Sequence, residues 1–118
     1  MKKQFLQMDR RVRRDLEKLK VLNPRATMGK EGDIIFLDSP QEAGTVRAIL
    51  TSLYPFREPT FKFQAKGETE WVHIKEYLLE QGPKYKCESF ITDFEKRLLT
   101  WTPSRNIVEI FEELQNML

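Results

Sequence analysis

The groups best suited to covalent chemistry are few: one thiol, Cys87, one imidazole, His73, and a scatter of carboxylates. A cysteine thiolate is a strong nucleophile and a good leaving group, so it suits the relay of an acyl group from one carrier to the next. Lys84 and Lys86 flank Cys87 and would lower its pKa if the thiol is exposed. The competing reading of Cys87 is a small buried hydrophobe or an inert surface thiol. His73 likewise reads either as a base or as a satisfied structural histidine. One cysteine excludes an internal disulfide and every multi-cysteine zinc pattern, and a single histidine leaves no credible metal cluster. Five glycines form no phosphate-cradling loop, so neither a metal nor a cofactor is expected.

The chain that must position these groups has 118 residues, the size of one domain, residues 1–118. It is 40% hydrophobic and 32% charged, ordinary for a protein with a packed core. A net charge of +2 is too small to argue for nucleic acid. The apolar runs are too short for a membrane span, so no membrane insertion is expected.

Residues 4–22 read as an amphipathic helix, with Phe5, Met8, Val12, Leu16, Leu19 and Leu22 at spacings of three and four and Asp15 beside Leu16. Asn23-Pro24 stops it. Its other face is basic, with Arg10, Arg11, Arg13 and Arg14 at its centre. That pattern reads as a solvated face or, alternatively, as a mitochondrial presequence. Gly29 and Gly32 mark a turn. Asp33 to Leu37 is a short apolar strand, expected to be buried on both faces. Asp38 to Gly44 reads as a loop, and Thr45 to Leu53 as a β-branched strand. Then come two prolines four apart in Tyr54-Pro55-Phe56-Arg57-Glu58-Pro59, a stiff extended corner. Tyr54, Phe56, Phe61 and Phe63 are expected to pack that corner onto the core.

Trp71 to Ile74 reads as a further strand, Tyr77 to Gln81 as a helical turn, and Gly82-Pro83 as a break. Phe90, Ile91, Phe94, Leu98 and Leu99 fall at helical spacing, with Ser89 or Thr92 as N-cap. After Trp101-Thr102-Pro103, Ser104 is expected to cap a last helix. Its apolar face carries Ile107, Ile110, Phe111, Leu114, Met117 and Leu118.

Three of these blocks carry a resemblance. Arg10-Arg11-Val12-Arg13-Arg14-Asp15-Leu16 resembles the first helix of ubiquitin-conjugating enzymes (E2s). Asp38-Ser39-Pro40 with Gly44-Thr45-Val46, and then the Tyr-Pro-x-x-x-Pro corner, resemble that family's loop, third strand and corner. Trp101-Thr102-Pro103 with the helix behind it resembles the family's Trp-(Ser/Thr)-Pro segment. RWD domains share the corner but not that segment. The resemblance implies an α+β ubiquitin-conjugating (UBC) fold: an N-terminal helix, a small antiparallel meander sheet, the proline corner and a central helix after Trp-x-Pro. It implies Cys87 as the thioester cysteine and His73 as the motif histidine. It also implies Arg10, Arg11 and Arg14 as a surface for the ubiquitin-activating enzyme (E1).

The match departs from the family at the chemistry. His73-Ile74-Lys75 stands where His-Pro-Asn belongs, and no asparagine lies between the corner and Trp101. His73 stands fourteen residues before Cys87, and Cys87 fourteen before Trp101, both wider than the family spacing. Losing one oxyanion donor costs about 10²–10³ in rate. The family's two further C-terminal helices do not follow. Phe111, Leu114, Met117 and Leu118 are therefore expected to present an exposed helix face to another chain. The reading is a degenerate, non-catalytic domain acting as an interaction or scaffold subunit. The alternative is an active minimal conjugating enzyme carrying ubiquitin or a ubiquitin-like protein on Cys87. Either implies protein partners and a cytoplasmic or nuclear setting, with the mitochondrial one following from the presequence reading.

Overall fold

A computed structural model describes residues 2–81, Thr92, Lys96 and 101–117, with the side chains of residues 10–80, Thr92, Lys96 and 101–116. The described chain is α+β. Helix α1 (Lys2–Leu22) precedes five strands, β1 (Thr27–Glu31), β2 (Ile34–Pro40), β3 (Gly44–Leu50), β4 (Thr60–Ala65) and β5 (Val72–His73). Helix α2 (Ile74–Gln81) follows β5 directly, and α3 (Ile107–Met117) closes the described part. The strands form one antiparallel meander in the order β1-β2-β3-β4-β5.

Alternation along the strands decides which face is covered. Ile35 and Leu37 of β2, Val46, Ala48 and Leu50 of β3, and Phe61 and Phe63 of β4 all point to one buried face. The register lays Leu37 beside Ala48 and Ala48 beside Phe61, so the apolar residues form continuous rows across the sheet. α1 contributes Val12 and Leu19 to the same core, and α3 packs against α1 above it. Phe111 of α3 meets Phe61 edge-on, with ring centroids 5.3 Å apart. Tyr77 of α2 lies 4.2 Å from Phe63.

Several boundaries differ from expectation, each for a local reason. Gly29 lies inside β1, and the turn is made by Gly32, whose φ is +61°. β2 is not buried on both faces: Ile34 is 38% exposed and Phe36 half-buried, as in an antiparallel sheet covered on one side. It also continues through Asp38-Ser39-Pro40, because Asp38 is neutralised on the outer face by Arg47 through two bonds of 2.8 Å. β3 stops at Leu50, where the chain turns. The proline corner is therefore not simply extended. It is a run of turns closed by Tyr54 N–H to Thr51 O (3.0 Å) and Phe56 N–H to Leu53 O (2.8 Å). Gly44 opens β3 where a Cβ would collide with the Gln64 carbonyl oxygen and the Phe63 ring.

α3 starts three residues after Ser104. Asn106 caps it, its Oδ1 accepting the Val108 N–H at 3.0 Å, while Ser104 bonds Thr102 in the preceding turn. The expected exposed face of this helix is corrected by burial: Phe111 is 2% exposed and Leu114 is fully buried. α1 and the sheet already cover them. The side chain of Met117, together with Leu118, lies outside the described residues. So do the expected helical positions Phe90, Ile91, Phe94, Leu98 and Leu99.

If these side chains are core rather than a docking face, truncating them will cost the isolated domain its own stability. Phe111→Ala and Leu114→Ala are each expected to lower the urea-unfolding free energy by about 2–5 kcal/mol. Unchanged midpoints would show that the face is not packed in the free protein.

Candidate functional site

The apolar stripe of α1 carries one charge inward. Val12, Asp15 and Leu19 share a face, and Asp15 is only 3% exposed. A carboxylate taken out of water is costly unless it is bonded and paired. Two groups answer it. The Tyr54 hydroxyl donates to Asp15 Oδ2 at 2.5 Å, and Arg11 Nε, one helical turn earlier, donates to the same oxygen at 3.3 Å. Arg11 then bridges onward, its Nη1 and Nη2 donating to the carbonyls of Pro103 (2.5 Å) and Arg105 (2.7 Å). Its guanidinium also lies 5.7 Å from the Tyr54 ring centroid. Trp101 closes the circuit by donating its indole N–H to the Pro55 carbonyl at 2.8 Å. One node thus joins α1, the proline corner and the approach to α3.

The electrostatics make this node structural. Burial pushes the Asp15 carboxyl above its ordinary 3.8, against the opposing hydrogen bond from Tyr54 and the charge of Arg11. Burial, and then the negative charge of Asp15, pushes the Tyr54 phenol up, so it remains protonated and a donor. Nothing about this sealed pair exposes an acid or a nucleophile to substrate.

What the node does expose is the outer side of the corner. Leu53 is 55% and Phe56 76% exposed, on the turn that Tyr54 and Pro55 fasten from beneath. Phe56 was expected in the core. Instead the turn directs it outward, while Tyr54, Phe61 and Phe63 are buried as expected.

The structure separates the residues singled out by sequence. Arg10 and Arg14 are exposed on α1. Arg11 is not a free surface group beside them, because Asp15 and two carbonyls occupy its guanidinium. His73 is exposed at the end of β5, opposite Lys62. Cys87, with Lys84 and Lys86, lies outside the described residues, so its distance from His73 is not part of the described geometry. Among the described residues no three His, Cys, Asp or Glu side chains come together to hold a metal, and no helix is long and apolar enough to cross a membrane.

Comparison of the chain with protein-family models, with curated proteins and with solved structures finds no match. The residues that sequence reading passed over are Tyr54 as the partner of Asp15, and Leu53 and Phe56 as exposed. The first had a signal: an acid set among apolar positions of a helix must find a donor.

The sign of the Asp15 shift gives a test. With its folded pKa raised, the native state binds this proton more tightly than the unfolded chain. Its contribution is then fully present below the ordinary 3.8 and is lost as pH rises through the folded value. The stability of the wild type relative to Asp15→Asn is therefore expected to increase as pH falls from 7 towards 4. A difference that is flat, or that shrinks on acidification, would contradict the assignment.

Proposed function

We propose that this chain is a non-catalytic, ubiquitin-conjugating-enzyme-like domain that serves as a protein-interaction or scaffold subunit of a larger assembly. The observation that carries the reading is the meeting of three sequence-distant blocks at Asp15. Arg11 and Asp15 come from the first block, Tyr54-Pro55 from the corner, and Trp101 and Pro103 from the last. Blocks that resemble one family by chance have no reason to touch. Further support comes from the described elements: α1 first, a meander with the corner between β3 and β4, and α3 after Trp-x-Pro.

The interaction role rests on Leu53 and Phe56. An exposed aromatic and an exposed leucine sit on a turn whose backbone is bonded at Pro55 and whose Tyr54 is locked into the core. Such an anchor loses little freedom on binding, so more of its apolar area is available as affinity. The non-catalytic part rests on the missing asparagine of the His73-Ile74-Lys75 segment and on the spacing of Cys87. Arg10 and Arg14 keep the exposed positions that an acidic partner would require.

Charging tests the catalytic half. The chain is incubated with the activating enzyme, ATP and ubiquitin and run on a non-reducing gel beside Cys87→Ser. No thiol-sensitive adduct is expected; an adduct on the wild type that is lost in the variant would establish thioester relay through Cys87. For the interaction half, Phe56→Ala is expected to leave the melting temperature within about 2 °C, since surface changes seldom exceed 0.5 kcal/mol. The same change should reduce recovery of crosslinked partner chains at least severalfold. Equal recovery would place the contact elsewhere.

A further inference from the structure

An aliphatic hydroxyl is followed by proline at two places in the chain, Ser39-Pro40 and Thr102-Pro103. The first is sealed. Ser39 is 1% exposed, and its Oγ receives the side-chain amides of Asn23 and Gln41, each at 2.9 Å. The second is open: Thr102, Pro103, Ser104 and Arg105 are all exposed. These four residues make one turn, closed by the Arg105 N–H on the Thr102 carbonyl at 3.0 Å. Proline takes the second place of that turn, whose φ it presets. Thr102 Oγ1 and Ser104 Oγ share a hydrogen bond of 2.8 Å at the surface.

Two features of the turn select a chemistry. Proline leaves no N–H on the residue after the Thr102 hydroxyl. An enzyme site that offers no oxygen at that place admits only proline, because any other residue would bury an unpaired donor there. Arg105 sets a cation three residues beyond the hydroxyl. A hydroxyl with proline next and a cation third is the pattern that proline-directed kinases read. The second feature is the surroundings that would receive the product. The Arg11 guanidinium lies on the carbonyls of Pro103 and Arg105, on either side of Ser104. Its bonds to these and to Asp15 use three of its five N–H groups. Asp15, the carboxylate on Arg11, is buried, and residues 101–105 carry no acid. A phosphate on this turn brings up to about two negative charges and three strong acceptor oxygens beside a fixed guanidinium. Such an acceptor binds a guanidinium more strongly than a neutral carbonyl does.

We propose that Thr102 is a phosphate acceptor for a proline-directed serine/threonine kinase, and that the guanidinium groups of Arg11 and Arg105 receive the phosphate. In the transfer, Thr102 Oγ1 forms the new bond to the γ-phosphorus of magnesium-bound ATP. The bond from that phosphorus to the β–γ bridging oxygen breaks, and ADP leaves with the electron pair. The hydroxyl proton passes to the kinase's catalytic carboxylate and then to water. The site goes beyond the interaction reading above and uses neither Leu53 nor Phe56, so either can fail alone.

The experiment incubates the full chain with a purified cyclin-dependent kinase, magnesium and radiolabelled ATP, and maps the label by tandem mass spectrometry. A single phosphate is expected, on Thr102, absent from Thr102→Val and unchanged in Ser39→Ala. Pro103→Ala should slow incorporation about tenfold or more, the scale of one unpaired buried donor. Unfolding cannot imitate that result, since an unfolded chain presents its hydroxyl more freely. In ³¹P NMR of the modified chain, the second phosphate ionisation is expected below its ordinary value of about 6 and should move back towards it in Arg105→Gln. The acceptor assignment is overturned by no incorporation, by label at another residue, or by an equal rate in Pro103→Ala. The role of the two arginines is overturned by an ionisation at the ordinary value.

Discussion

The buried carboxylate of Asp15 is the constraint on which the rest of this fold depends. An unpaired charge at that depth would be intolerable, so whatever packs on α1 must bring donors to it. Tyr54 and Arg11 do so, and each is tied to something else. Tyr54 fixes the corner between β3 and β4, and Arg11 holds the carbonyls that lead into α3. Trp101, tilted over Tyr54 with centroids 6.0 Å apart, seals the arrangement and binds the corner's own backbone. Hydrophobic burial is indifferent to small rotations of a helix on a sheet. This set of directed bonds is not, and it sets the position of α1 against the corner.

The outer face of the sheet is organised by a second cation. Arg47 stands between the rings of Phe36 and Trp71, at 4.4 and 4.1 Å from their centroids, and grips Asp38 with two bonds. The hydrogen bonds to Asp38 hold the pKa of the Arg47 guanidinium above its ordinary value. A guanidinium is suited to this because its flat faces stack while its edge bonds. The stack covers apolar rings that would otherwise lie bare on the uncovered side. It also explains why β2 can carry Phe36 and Asp38 on one face and Ile35 and Leu37 on the other.

Much of this was legible in the residues. Spacings of three and four gave α1 and α3, and β-branched residues gave β3. Prolines gave the corner, and the small apolar set gave Tyr54, Phe61 and Phe63 as core. What was not legible depended on partners distant in the chain. Asp38-Ser39-Pro40 looks like a loop until Arg47 lies across from it. Ser104 looks like a cap until Asn106, two residues on, takes the N–H. Phe56 looks like core because aromatics usually are, and only the sense of the turn sends it outward. The last helix looked exposed by comparison with the resembled family, and its cover, α1, comes from the other end of the sequence.

The bonds from Arg11 to the carbonyls of Pro103 and Arg105 span 92 and 94 residues. This has a bearing on how the chain is made. α1 is the first of these elements to leave the ribosome, yet the helix that covers it is the last. Until the segment before α3 is made, Arg11 lacks the carbonyls of Pro103 and Arg105, although the sheet and Tyr54 can already meet α1. The meander, built from strands adjacent in sequence, can pair while the chain is still growing. The ring that α1 and α3 complete must wait for the closing of a long loop, whose entropic cost rises only slowly with length but is met all at once.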